Sequence, residues 1–217
     1  MDILDLHRVV LKSFDHSEYD RRLIILTLER GKITAFARGA KRPGSALLAS
    51  TEPFAFGTFK LTEGRSAYNL RGTEIVNYFE GIRKDLNAYY LGSYFLEFTD
   101  YYSKENLEDR ELLSLLYSSL QSLLSGSLDK DLIRSVFEIK IISIEGELPP
   151  PPSSRTFLPG TLHSLDHIIG SSSEMLYTFN VSEEIMAELK ELSSYYVKRC
   201  VNRDFTSLKI LDSLHTF

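Results

Sequence analysis

The side chains best suited to chemistry gather in "ARGAKRPGS", residues 37–45, where Arg38, Lys41 and Arg42 stand within five positions. Gly39, Pro43 and Gly44 mark the segment as a turn, because glycine tolerates positive φ and proline fixes its own φ. Guanidinium and ammonium groups on such a turn can form a solvated hairpin tip, a phosphate-gripping loop of an NTPase, or a wall of a groove for a nucleic-acid backbone. The NTPase loop fails on spacing. Lys41 is followed by Arg42 and Pro43, whereas that loop needs G-x-x-x-x-G-K-[ST] leading into a helix that offers its N–H groups. The other two readings stay open.

No other constellation carries catalysis. His163 and His167 are four apart, a spacing two zinc ligands use on a helix, but no H-E-x-x-H surrounds them and Pro159 and Gly160 stand close upstream. They read as surface histidines, and His7, His16 and His215 are scattered. The single cysteine, Cys200, excludes an internal disulfide and a multi-cysteine zinc site. It falls in a helical pattern, as a small core residue does. No G-x-S-x-G elbow or Cys/His pairing occurs, and no pair of acids can be nominated from spacing. The chain is therefore expected to have no catalytic residues, no metal and no cofactor, and not to be an enzyme.

Charge is distributed unevenly. The net charge is −5 over 217 residues. Residues 1–80 hold 12 Lys/Arg against 10 Asp/Glu, a net of +2, and residues 81–217 hold 13 against 20, a net of −7. Within 21–71 there are 10 basic residues against 3 acidic. A basic front on an acidic remainder suggests a polyanion partner for the front. "MDILDLHRVV" carries acids where a secretory signal carries bases. No window approaches the roughly 18–20 apolar residues of a membrane helix. A cytoplasmic protein with no membrane partner is expected.

The elements that must position the cations are strands. "DLHRVVLKSF" and "RRLIILTLE" are apolar and β-branched with partial alternation, and "DHSEYD" between them is polar loop. "RGK" turns into "ITAFARGA", with Gly31 supplying the positive φ of a hairpin. "PFAFGTFKLTE" and "SAYNLRGTEIVNYF" follow, joined at Gly64 and Arg65. Five strands in about 80 residues favour a small closed barrel of the OB type. Phe36, Phe54, Phe56, Phe59 and Tyr68 are interleaved with its cations. Alternation puts Phe54 and Phe56 on one face and Phe59 on the other, without saying which face is inside.

Near residue 81 the period changes to that of helices. "KDLNAYYLGSYFLEFTDYYS" starts at a candidate cap, Asp85, and is apolar around much of its circumference. "LEDRELLSLLYSSLQSLLSG" repeats leucine at helical spacing up to Gly126, and "DKDLIRSVFEIKIISIEGELP" makes a third helix ended by Gly146 and Pro149. "PPPPSS" from 149 is a stiff spacer, and 153–180 shows no sustained period. "SEEIMAELKELSSYYVKRCV" is a final long helix capped by Ser182, with "FTSLKILDSL" a short helix or turn after it. The expected class is α+β. It has an OB-fold domain over 1–80, whose cations suit a nucleic-acid backbone, and a helical domain over 81–217, in which 149–181 is a Pro/Ser/Gly-rich, cysteine-free insertion.

Taken together, "VVLKSFDHSEYDRRLIILTLERGKITAFARGAKRPGS", "EPFAFGTFKLTEGRSAYNLRGTEIVNYFEGIRKDLNAYYLGSYFLE", "SVFEIKIISIEGELP" and the terminal "RDFTSLKILDSL" resemble the RecO family of bacterial recombination mediators. The resemblance covers most of the chain, and "ERGKITAFARGAKRPGS" is its most specific element. It implies an N-terminal OB-fold on a helical domain and ATP-independent binding and annealing of single- and double-stranded DNA. It also implies partnership with RecR, contact with the acidic C-terminal tail of single-strand binding protein, and, through these, loading of RecA. Carried over by position, the DNA-binding residues are Lys32, Arg38, Lys41 and Arg42, with Arg65 and Arg71 as additions. Arg134 and Lys140 are the candidate receivers of the acidic tail. The sequence departs from the family at 149–173, where relatives often carry a four-cysteine zinc element and this chain has no cysteine. The zinc element is therefore expected to be lacking. The alternative is a protein-interaction scaffold that works through its helical domain without binding DNA.

Overall fold

The computed structural model describes residues 3–214, so His215 lies outside it. Five strands, β1 (Ile3–Asp15), β2 (Arg21–Thr27), β3 (Gly31–Ala37), β4 (Phe56–Glu63) and β5 (Tyr68–Asn77), form a closed barrel in the order β1-β2-β3-β5-β4. Neighbours pair antiparallel except β3 and β5, which meet in parallel at Ala35–Tyr68 and Phe36–Asn69. This is the OB-type barrel expected from the sequence. Alternation explains which residues face inward. In β3, Gly31, Ile33, Ala35 and Ala37 are buried while Lys32, Thr34 and Phe36 are half-exposed. Leu6, Val10, Leu23, Ile25, Ile33, Phe59, Leu61 and Leu70 fill the interior.

Arg8 is completely buried. Its Nε donates to Leu6 O at 2.7 Å and its Nη2 to Phe59 O at 2.5 Å, and the guanidinium lies 5.3 Å from the Phe59 ring centroid. Burial pulls its pKa down to about 9 against the raising fields of Glu29 and Asp5.

Packing divides the chain into two units. The first holds the barrel, the short helix α1 (Leu47–Ser50) and Leu96–Leu113, which include the end of helix α2 (Leu86–Tyr102). Within this unit, Lys12 Nζ donates to Asp100 Oδ2 at 2.6 Å, and Lys32 Nζ donates to Asp100 O at 2.7 Å and Oδ1 at 3.3 Å. Burial pushes the Asp100 carboxyl up, but the two lysines outweigh it and hold the pKa below its ordinary value. Gly31 takes φ +60°, and a Cβ there would lie 2.3 Å from Lys104 O.

The second unit is helical, comprising Gly81–Phe95 and the chain from Ser114. Its helices are the first part of α2, α3 (Arg110–Ser125, which begins in the first unit), α4 (Lys130–Ile144), α5 (Pro159–Gly170), α6 (Glu183–Cys200) and α7 (Thr206–Leu214). The caps follow the sequence. Ala88 N–H donates to Asp85 Oδ1 at 3.1 Å and Ile185 N–H to Ser182 Oγ at 3.4 Å, while Gly126 and Gly146 adopt φ +62° and +72° after α3 and α4. α4 is buried almost all round, with Phe137 stacked on Phe95 at 4.1 Å.

Helix α5 corrects the reading of 153–180 as aperiodic. Pro159 sits in the first turn, where its missing N–H has no partner to lose. The buried face is Thr161, Ser164, Leu165 and Ile168, so two hydroxyl residues conceal the apolar stripe. Glu188 of α6 accepts from Thr161 Oγ1 at 2.6 Å and Leu158 N–H at 2.9 Å, and Arg155 lies 3.3 Å away. No helix among the described residues is long and apolar enough to cross a membrane.

Candidate nucleic-acid interface

Strand register builds the site. Phe14 on β1 is the partner of Arg22 on β2, and Arg22 is the partner of Phe36 on β3. Directly paired residues share a face, and the next row, Ser13, Leu23 and Ala35, carries the buried side chains of β2 and β3. Phe14, Arg22 and Phe36 therefore make a row across the outside of the barrel. The Arg22 guanidinium lies 4.9 Å from the Phe14 ring centroid, and the His16 ring lies 4.6 Å from that of Phe36. Phe14 is 41% exposed and Tyr19, in the β1–β2 loop, 39%.

The basic loop joins this row. Lys41 N–H donates to Tyr19 O at 2.9 Å, and Gly39 N–H donates to Asp20 Oδ1 at 2.7 Å. Arg42 N–H closes a turn on Gly39 O at 3.1 Å, with Gly39 at φ +66°. The Arg42 guanidinium comes to 5.8 Å from the Tyr19 ring centroid. Arg38 and Arg42 are exposed. Lys41 pairs at 2.8 Å with Asp15, itself largely in solvent, where water and salt screen the attraction and leave the lysine easily released. The bond from Lys41, first among its causes, holds Asp15 below the ordinary carboxylate range.

The other expected residues lie elsewhere in the first unit. Lys32 is engaged by Asp100. Arg65 is exposed on the β4–β5 turn and lines a cleft of about 340 Å³ with Lys32, Glu63, Tyr68 and Glu105. Arg71 is exposed on β5, its Nε donating to Thr62 Oγ1 at 3.0 Å. Register also decides among the aromatics. Phe54 and Phe59 are buried, Phe56 packs edge-on against Phe79, and Tyr68 is hydrogen-bonded to Arg30, which leaves Phe36 on the outer row. Phe14, His16, Tyr19 and Arg22 were missed by sequence reasoning. Their signal was three rings and two arginines in "FDHSEYDRR", divided between two strand ends and the loop joining them, which shows no common face until the strands are paired.

In the second unit, Arg134 bonds Glu138 at 2.8 Å and lies 3.6 Å from Asp212. Burial lowers its pKa and the Glu138 carboxylate more than restores it. It lines a cleft of about 330 Å³ with Asn87, Leu91, Lys130, Asp131 and Leu211. Lys140 is buried and donates to Ile169 O and Ser171 O, both at 2.8 Å, closing the end of α5. His167 packs on Phe179 and approaches Ser171 Oγ, and His163 is exposed. Among the described residues no three His, Cys, Asp or Glu side chains gather as a metal site would require.

Comparison with known proteins identifies the barrel and the helices that follow it. Residues 1–79 match the model of the Recombination protein O N-terminal domain, and residues 83–150 that of its C-terminal domain. The chain is 27% identical to the DNA repair protein RecO of Acetivibrio thermocellus, over 99% of this chain and 98% of that protein. It is 31% identical to the RecO of Clostridium novyi over 67% of this chain, and 34% identical to that of Alkaliphilus metalliredigens over 64%. Those two alignments each span 57% of the relative's length. With both halves of the family matched in order over a barrel and the helices that follow it, the chain belongs to the RecO family.

Proposed function

We propose that this protein acts in DNA repair and homologous recombination by binding DNA at the β1–β3 end of its barrel and annealing complementary strands. The observation that carries this reading is the row Phe14, Arg22 and Phe36 continued by Arg38 and Arg42 on the stitched loop. Phosphates are met by guanidinium groups and unpaired bases by aromatic faces, with no bond made or broken. Lys41 joins them by exchanging Asp15 for a phosphate, while Lys32, Arg65 and Arg71 extend the basic surface. With RecR the protein helps load RecA on single strands coated by single-strand binding protein. Arg134, at the edge of its cleft, receives the acidic tail of that protein. Lys140 holds α5 in place instead.

Anisotropy titration of labelled mixed-sequence single-stranded DNA at several salt concentrations tests the proposal. Replacing Arg38, Lys41 and Arg42 together by Ala is expected to flatten log K against log salt by about 2, at roughly 0.7 per lost phosphate contact. An unchanged slope removes the loop from the interface. Absence of binding even at low salt, with protein partners still captured, returns the protein to the scaffold reading.

A further inference from the structure

We infer that Asp20 is the positioning residue of this interface, an acid kept inside a cationic site because it sets the shape of the arginine loop. The inference rests on the DNA-binding reading above. Charge alone argues against a carboxylate here, since it repels the polyanion that Arg38 and Arg42 would attract. Geometry gives it a task. Asp20 closes the β1–β2 turn, its carbonyl accepting from His16 N–H at 3.0 Å while its own N–H donates to Ser17 Oγ at 3.3 Å. From that fixed point Oδ1 accepts the Gly39 N–H at 2.7 Å. Gly39 stands between Arg38 and the Lys41–Arg42 pair at φ +66°, so the bond fixes the backbone from which these cations project. The adjacent bond from Lys41 N–H to Tyr19 O completes a two-point clamp between the loops. The Asp20 carboxyl is held below its ordinary range, first by the Gly39 bond, with the fields of Arg38 and His16 adding. Clamped in this way, Arg42 lies over Tyr19 and Arg38 stays in solvent, and binding avoids ordering a floppy loop.

The test compares substitutions that change charge identically but geometry differently. Asp20→Asn loses the negative charge and keeps an acceptor for Gly39 N–H, and Asp20→Ala loses both. Titrations of labelled single-stranded DNA with the full chain should show Asp20→Asn binding as tightly as the parent or a few-fold tighter. Asp20→Ala should bind about 10-fold more weakly, with a salt slope smaller by about 1.4, the share of two phosphate contacts. Hydrogen exchange at the Gly39 amide should be slow in the parent and Asp20→Asn and fast in Asp20→Ala, read well below each variant's melting midpoint. Asp20→Glu keeps the charge but carries the carboxylate one methylene too far, so it should also weaken binding and provides the check should the alanine variant fold poorly. Asp20→Ala binding as tightly as Asp20→Asn, or Asp20→Glu matching the parent, overturns the positioning role. Arg38→Ala with Arg42→Ala, run alongside, separates the failures. If that pair changes nothing, the loop is no part of the DNA interface and the inference falls with it. If it weakens binding while the Asp20 series is flat, the inference alone falls.

Discussion

Phe14 and Tyr19 each show solvent a ring while a guanidinium rests near that ring. A base stacking on such a ring releases no counterion, so its contribution should separate from that of the cations. Phe14→Ala and Tyr19→Ala are each expected to weaken single-strand binding by about 1–3 kcal/mol, or roughly 5- to 150-fold, with the salt slope unchanged. The readout is the titration proposed for the triple substitution, and a changed slope would mean the rings act only by holding Arg22 and Arg42. Lys41 and Lys32 differ in the same physical sense. Lys41 has a partner that water already screens, whereas Lys32 shares Asp100, a side chain only 11% exposed, with Lys12.

At the scale of elements, the end of α2 and the segment after it are fastened to the barrel by two devices that predict separate losses. Removing the Asp100 carboxylate leaves Lys12 and Lys32 half-buried without their shared acceptor. Asp100→Ala should therefore lower unfolding stability by about 2 kcal/mol, measured by urea titration. Gly31 is held by space as well as by φ, because a Cβ would meet Lys104 O and Leu107 O at 2.3 and 2.4 Å. Gly31→Ala should cost about 3 kcal/mol and free the Glu105 segment that bridges to it. A melting point unchanged in that variant would mean that the 104–107 backbone yields freely. Helix α5 depends on a different kind of fastening. Its first turn and the Glu188 carboxylate are joined by two hydrogen bonds, so Glu188→Ala should expose α5 to proteolysis before the barrel.

Across the whole molecule, carboxylates that the fold holds ionised predict weakness to acid. Asp20, Asp85, Asp100 and Glu188 all lie below their ordinary values of 3.8 or 4.5. A group whose folded pKa is depressed stabilises the fold above its unfolded pKa and loses that contribution as pH falls through the folded value. The melting midpoint should therefore be steady from neutral pH to about 5 and drop below about 4. A flat profile down to pH 3 would contradict those pairings. Much of the architecture was legible without coordinates. Alternation of period two produced the five strands, period 3.6 with Asp85, Ser182, Gly126 and Gly146 produced the helix limits, and the Arg38–Arg42 cluster was visible as charge on a turn. These features depend on neighbours in the chain, which is why the chain alone determines them. Which ring faces outward, that Phe14, Arg22 and Phe36 stand in one row, and that Lys32 belongs to an aspartate 68 residues away were decided only by the closed barrel. Strand register and a packed helix bring together side chains whose separation in sequence carries no trace of their distance in space.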